Sequence, residues 1–326
     1  MADTDEPLIE VRDLVVDYGR GKKVHHAVRG ISFRVNRGEC VGFIGANGAG
    51  KSTTMKALLG FVFPAGGSVR VFGAPAGSVE SRRRLGYLPE VALYYPFMKA
   101  RELLELYGGL QGLSSGELKR RIPPLLDEVG LGGRGESLLK NFSKGMQQRL
   151  GIAQAIIAEP ELLIFDELSS GLDPLGRHDL REVLLRLKAA GTTIFFSSHE
   201  LSEVESLCDR VIMINKGRVV TEAPVADLMK PLNVFDVRFT CGEGDIPREF
   251  QEFGAVDQGN NEWSLHITDQ DAYARAVARM AELGCRIQST ASRSRSLEDY
   301  FIDLVRESRD HPAAEAGHHA EALSRP

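Results

Sequence analysis

The chain has 326 residues, a net charge of -5, 43% hydrophobic residues and 26% charged ones. That length suits two domains, and the composition supports a buried core, excluding a collagen-like or fully disordered chain. The small negative charge gives no general electrostatic case for a nucleic-acid partner, and no apolar run is long enough to span a bilayer. Cys40, Cys208, Cys241 and Cys285 are scattered, with no C-x-x-C pair. They read as reduced thiols of a cytosolic protein, neither a disulfide frame nor a zinc site. Residues 1–7 are polar and acidic and lack the basic and apolar parts of a signal peptide.

Residues 8–16 carry β-favouring side chains in rough alternation and predict a first strand. Tyr18 follows, then a turn at Arg20-Gly21-Lys22-Lys23. Residues 24–35 predict more strand, interrupted at Gly30, and Arg37-Gly38-Glu39 turns the chain into a buried strand over 40–44. Next comes Gly45-Ala46-Asn47-Gly48-Ala49-Gly50-Lys51-Ser52-Thr53, which fits G-x-x-x-x-G-K-[ST] at every fixed position. Its glycines let the backbone wrap closely and aim N–H groups at phosphate oxygens. Lys51 supplies a point charge for the β- and γ-phosphates, and the Ser52 hydroxyl is a Mg²⁺ ligand. A helix over 53–59 puts its positive end at the loop.

Residues 68–72 and 85–90 predict two short strands, the second leaving Glu90 at its carboxyl end. Ser81-Arg82-Arg83-Arg84 reads as a solvated helix face. About residues 91–150 the texture turns helical, with Pro123-Pro124 expected to kink or split one helix. Ser143 is an N-cap candidate for a helix that ends at Glu159-Pro160. The apolar run 161–165 predicts a buried parallel strand ending in Asp166-Glu167. A helix over 175–190 and a strand over 192–196 lead to Ser197-Ser198-His199, and a hairpin over 210–221 follows. From residue 231 the order β-α-β-β-α-β suggests a small α+β, ferredoxin-like domain to about 308. Residues 309–326 read as a disordered tail.

Phosphoryl transfer needs a phosphate cradle, a metal and a positioned water. In a doubly wound sheet such groups gather where strands end. Asp166 is placed to hold Mg²⁺, and Glu167 to take a proton from the attacking water. A close carboxylate pair favours a bound cation between its members. His199, at the end of the next strand, is placed to meet a γ-phosphate. Ser143 and Gly145, at a helix start, form a second anion-binding element. One chain cannot easily bring that helix start to its own phosphate loop, so a dimer with shared sites is suggested.

These motifs, in this order over residues 8–228, resemble the ATP-binding subunits of ABC transporters. Gly45–Thr53 matches the Walker A loop, with Gly45, Asn47, Gly48, Gly50, Lys51, Ser52 and Thr53 as its nucleotide-binding residues. Residues 162–166 match Walker B, and Glu167 falls on the catalytic glutamate. Ser170-Gly171-Leu172-Asp173 matches the D-loop, His199 the switch histidine, and Tyr18 the aromatic that stacks on adenine. The resemblance implies an α/β P-loop NTPase domain over 1–230, with an antiparallel β subdomain and a helical insertion. It implies ATP and Mg²⁺ as cofactors, with Ser52, Asp166 and Glu90 on the metal. It further implies an ATPase that pairs with a second copy or a homologue, drives a separate membrane permease, and sits on the inner face of the cell membrane.

Two positions depart from the family's commonest pattern. The signature Leu-Ser-Gly-Gly-Gln is Phe142-Ser143-Lys144-Gly145-Met146 here, and Glu90 replaces a glutamine. Both variants resemble the exporter branch of the family. Two alternatives stay open on the residues: an ABC ATPase that remodels nucleic acid or ribosomes, and a module that binds nucleotide without turnover.

Overall fold

The computed structural model describes residues 6–19, 23–169, 172–198, 200–229, 231–241, 250, 254–259, 261–294 and 296–302. The chain divides into a unit over Met1–Val225 and a second over Ala226–Pro326.

The first unit opens with β1 (Ile9–Tyr18) and β2 (His25–Val35), an antiparallel hairpin. The pairing shifts register near Gly30, which is in the left-handed region, and β2 continues through it. The buried strand β3 (Cys40–Ile44) feeds the glycine-rich loop and α1 (Lys51–Leu58). Next, β4 (Gly66–Val71) and β5 (Ala74–Pro75) complete an antiparallel sheet of order β2-β1-β4-β5. After α2 (Val79–Arg83) and β6 (Leu85–Leu88) come α3 (Ala100–Leu110), α4 (Ser115–Glu128) and α5 (Lys144–Ile156). The chain then alternates: β7 (Leu162–Phe165), α6 (Pro174–Ala189), β8 (Thr193–Ser198), α7 (Leu201–Leu207), β9 (Arg210–Asn215) and β10 (Arg218–Pro224).

The second sheet has the order β10-β9-β3-β8-β7-β6. Strands β6 to β9 and β3 run parallel, while β10 pairs antiparallel with β9. Strands β3, β7 and β8 are buried throughout, as central parallel strands covered on both faces are. One core lies between the two sheets, where Phe33, Phe43 and Phe195 meet with ring centroids 5.4–5.8 Å apart. This packing holds the carboxyl ends of β3, β7 and β8 side by side.

Two sequence expectations hold only in part: Pro123 and Pro124 do not split their helix, and Arg82 and Arg83 are exposed on α2 while Arg84, just past it, is half-buried. Helix α4 runs unbroken through Pro123 and Pro124. Both prolines are exposed, while Leu118, Ile122, Leu125 and Leu126 form the buried face. The carbonyls that lose partners can turn to water, so packing of the apolar face outweighs the missing bonds. Nor is the basic run simply solvated. The Arg84 guanidinium lies 4.2 Å from the Phe72 ring centroid and donates to both Glu161 carboxylate oxygens, at 2.6 and 2.9 Å. With Arg37 at 2.5 Å, this holds the Glu161 carboxyl near 2, well below its ordinary value of 4.5. A depressed acid stabilises the fold above its unfolded value and stops doing so as pH falls through the folded one. Glu161→Gln should therefore cost about 1 kcal/mol or less near pH 7, for a partly exposed network. The deficit should shrink as pH falls from 4.5 toward 2, as urea midpoints at matched pH would show.

In the second unit, α8 (Val225–Leu228) leads from the boundary into β11 (Pro231–Thr240). Then come β12 (Val256–Gly259), β13 (Glu262–Ile267), α9 (Gln270–Glu282) and β14 (Arg286–Ser294). They form an antiparallel sheet of order β12-β13-β11-β14. Alternation along β11 turns Phe235, Val237 and Phe239 to one face, where Val237 and Phe239 pack with Phe250, Leu265, Ile267, Ala276 and Met280. Of the helix expected over 247–253 only Phe250 is described; the last helix is described over 297–302, and the 309–326 tail lies outside the described residues.

The reading of all four cysteines as free thiols is corrected in this unit. Cys241 and Cys285 form a disulfide. Spacing along the chain could not show it, because pairing of Thr240 with Arg286 is what brings the next residues together. Cys40 and Cys208 are free and buried.

Candidate active site

The glycine-rich loop turns between β3 and α1, where the sheet core pins it. Gly50 has φ 112°, and a Cβ there would come within 2.7 Å of the Ala27 carbonyl. A Cβ on Gly45 would stand 2.3 Å from the Ile214 carbonyl. Neither position accepts a side chain, so the loop closes tightly and leaves its N–H groups for an anion at the start of α1.

Five side chains meet at this loop. Lys51 is 6% exposed; its Nζ donates to the Gly45 carbonyl at 2.7 Å and lies 3.4 Å from Glu167 Oε1. The Ser52 hydroxyl reaches Asp166 Oδ1 at 3.4 Å. Ser197, on β8, donates to the same Asp166 oxygen at 2.8 Å and accepts the Glu167 backbone N–H at 3.0 Å. Asp166 is held from the other side, where its N–H donates to the Leu88 carbonyl at 3.0 Å. Glu167 has φ 53°, a left-handed conformation rare for a residue with a side chain. Such strain, of order 1–3 kcal/mol, persists where surrounding contacts impose it, and it clusters at functional sites.

The local electrostatics follow from burial. Tyr87, on β6, is pushed up to about 12 by burial and then by the Asp166 charge. Ser52 and Asp166 supply facing oxygen donors, the chemistry that Mg²⁺ takes. Among the described residues no group of three or more His, Cys, Asp or Glu is placed to hold a metal ion. A divalent ion at Ser52 and Asp166 would therefore draw further ligands from nucleotide phosphates and water.

Not every residue singled out from sequence joins this cluster. Asn47 is exposed on the loop, with Thr53 half-buried behind it. Tyr18 is 40% exposed at the end of β1, opposite His25 on the strand whose Ala27 carbonyl abuts the loop. Glu90 is exposed, two residues past β6. Ser143 caps α5, accepting the Met146 N–H at 3.3 Å, with Gly145 in its first turn. Among the described residues no hydrogen bond or ion pair joins Ser143 or Gly145 to the loop. Asp173 caps α6 through the Gly176 N–H at 2.8 Å. His199, Ser170 and Gly171 lie outside the described residues.

Ser197 is the member that sequence reasoning missed. Its signal was a hydroxyl just past the apolar residues 194–196, at the carboxyl end of the strand beside the Asp-Glu strand. Ser197→Ala would remove a fully buried hydroxyl that serves both acidic residues. The expected cost is about 1–3 kcal/mol of stability, read from denaturant unfolding, with slower turnover.

Comparison with known proteins agrees with this geometry. Residues 28–170 match the family profile described as ABC transporter. The chain is 40% identical over 281 residues to an uncharacterised ABC transporter ATP-binding protein of Nostoc sp., covering 86% of this chain and 83% of that one. It is 34% identical to the bacitracin transport ATP-binding protein BcrA of Bacillus licheniformis, covering 91% and 97%. A solved ATP-binding subunit of an ABC transporter superposes with a TM-score of 0.61 at 38% identity, covering 68% of this chain and 92% of that one. With a phosphate loop built against a buried acidic pair, the chain belongs to the ABC transporter ATP-binding proteins and is an ATPase of that family.

Proposed function

We propose that this ATPase powers export through a separate membrane permease, working as a head-to-tail dimer with a second copy or a close homologue. The observation that carries the reading is the convergence of Lys51, Ser52, Asp166, Glu167 and Ser197 at the ends of β3, β7 and β8. Loop N–H groups and Lys51 hold the phosphates, and Tyr18 stacks on the base. Ser52 and Asp166, with Glu90, hold Mg²⁺, which when bound neutralises phosphate charge. Glu167 accepts the proton of the attacking water, and His199 senses the γ-phosphate. Ser143 and Gly145 complete the partner's site, with Asp173 nearby at the seam. The exposed position of Ser143, with no hydrogen bond to its own loop among the described residues, supports its assignment to the partner's site.

Likeness to a protein named for bacitracin transport supports a transport role. No helix among the described residues is long and apolar enough to cross a membrane. Leu93, Tyr95 and Phe97, near Glu90, are 61–88% exposed and supply an apolar docking surface for the permease. In this reading the subunit sits on the inner face of the cell membrane through that permease. We read the second unit, from its strand order, as a ferredoxin-like accessory module.

The test is capture of tagged Glu167→Gln chain from detergent-solubilised membranes in the presence of ATP. A polytopic permease is the expected co-purifying partner. Ribosomes or nucleic-acid machinery without a membrane protein would replace the transport reading and leave the ATP site standing.

A further inference from the structure

Helix α5 begins with Ser143 and Gly145 and is fastened to the segment that follows Glu167. The Gln148 side-chain amide, 7% exposed, donates to the Leu168 carbonyl at 2.5 Å. Leu168 is the residue after Glu167 and is itself buried. The same two stretches meet again at the helix start, where a methyl on Gly145 would lie 3.5 Å from Leu172 Cδ2. Farther along, Arg149 pairs with Asp179 of α6 at 2.6 Å. The 167–169 stretch is also tied to the loop side. The Glu167 N–H donates to Ser197, and Lys51 lies against its carboxylate. A shift of the Leu168–Ser169 peptide, one residue past Glu167, is thus passed to α5 through a short, buried polar link.

We propose that Gln148 is the positioning residue through which each ATP site sets the grip on the other. Its hydrogen bond ties the Leu168 carbonyl, one residue past Glu167 in one site, to the helix whose Ser143 and Gly145 cap the partner's nucleotide. The inference rests on the head-to-tail dimer of the previous section. Physically, a buried side-chain donor bound to a carbonyl is costly to leave unmade, so the two segments move together rather than apart. The link needs a side chain of this length with an N–H at its end. A glutamine meets that need without placing a charge in the interior.

The experiment uses the full chain carrying Glu167→Gln, alone and with Gln148→Met or Gln148→Glu. Methionine keeps the length and volume and has no donor; glutamate keeps the shape and, when ionised, has none either. Three readings are taken: melting temperature, fluorescent-nucleotide affinity of the single chain, and ATP-driven dimerisation by analytical ultracentrifugation. The expected result is a dimer dissociation constant raised about tenfold in both variants, as for loss of a buried hydrogen bond. Single-chain nucleotide affinity stays unchanged, because Gln148 does not touch the cradle. In the Glu167-intact chain Gln148→Met lowers kcat more than it changes KM. Unchanged dimerisation in a folded Gln148→Met chain would overturn the inference, as would an equal loss of single-chain affinity. If the parent Glu167→Gln chain stays single at saturating ATP, the dimer reading itself falls.

Discussion

Glu167→Gln should bind ATP normally and hydrolyse it about 10²–10⁴-fold more slowly, the usual loss when a general base is removed. The substitution keeps the shape of the side chain and its place 3.4 Å from the Lys51 ammonium, because the amide oxygen can stand where the carboxylate oxygen stood. It keeps the strained backbone too, since Ser197 holds the N–H and not the side chain. What it removes is the capacity to take a proton. A drop in kcat with an unchanged nucleotide dissociation constant is therefore the diagnostic pattern. It is read by single-turnover phosphate release beside equilibrium titration. Hydrolysis that survives undiminished would remove Glu167 from the chemistry and point to another base.

Lys51→Ala should have the largest effect on binding. Its ammonium is buried, held by the Gly45 carbonyl, and is the cation placed nearest the phosphate cradle. Truncating one member of a desolvated charge contact costs about 2–5 kcal/mol, which is roughly 30- to 4,000-fold in affinity at 1.4 kcal/mol per tenfold. The empty protein should lose stability as well, because Glu167 loses the positive charge beside it. Lys51→Met separates the two effects: it restores the packed stem without the charge. Calorimetric titration should show both variants impaired in ATP binding, with Lys51→Met melting closer to the parent. Parent-like affinity in Lys51→Met would refute the role of the ammonium.

The elements that carry these predictions were largely legible in the sequence. Residues 45–53 are contiguous, so their chemistry needs no folding to be seen. Asp166 and Glu167 were legible because an apolar strand announces its own end. Ser197 was not, since its importance comes from the parallel pairing of β7 with β8, which sets its hydroxyl between the Asp166 carboxylate and the Glu167 backbone N–H. The basic run misled for a similar reason: Arg84 finds Glu161 across 77 residues, a pairing that neighbouring residues do not foretell. Pro123 and Pro124 misled because local rules weigh the lost hydrogen bonds and omit the apolar face that holds the helix down.

By itself, then, the sequence determined the fold class, the phosphate loop and the acidic pair. Each is written in short stretches whose local pattern dictates the backbone. Tertiary structure alone decided which distant groups touch. It joined Cys241 to Cys285, gave Asp166 its second hydroxyl, and bound Gln148 to the Leu168 carbonyl. These contacts depend on strand order and helix packing, which are set by how whole apolar faces bury one another rather than by any local motif.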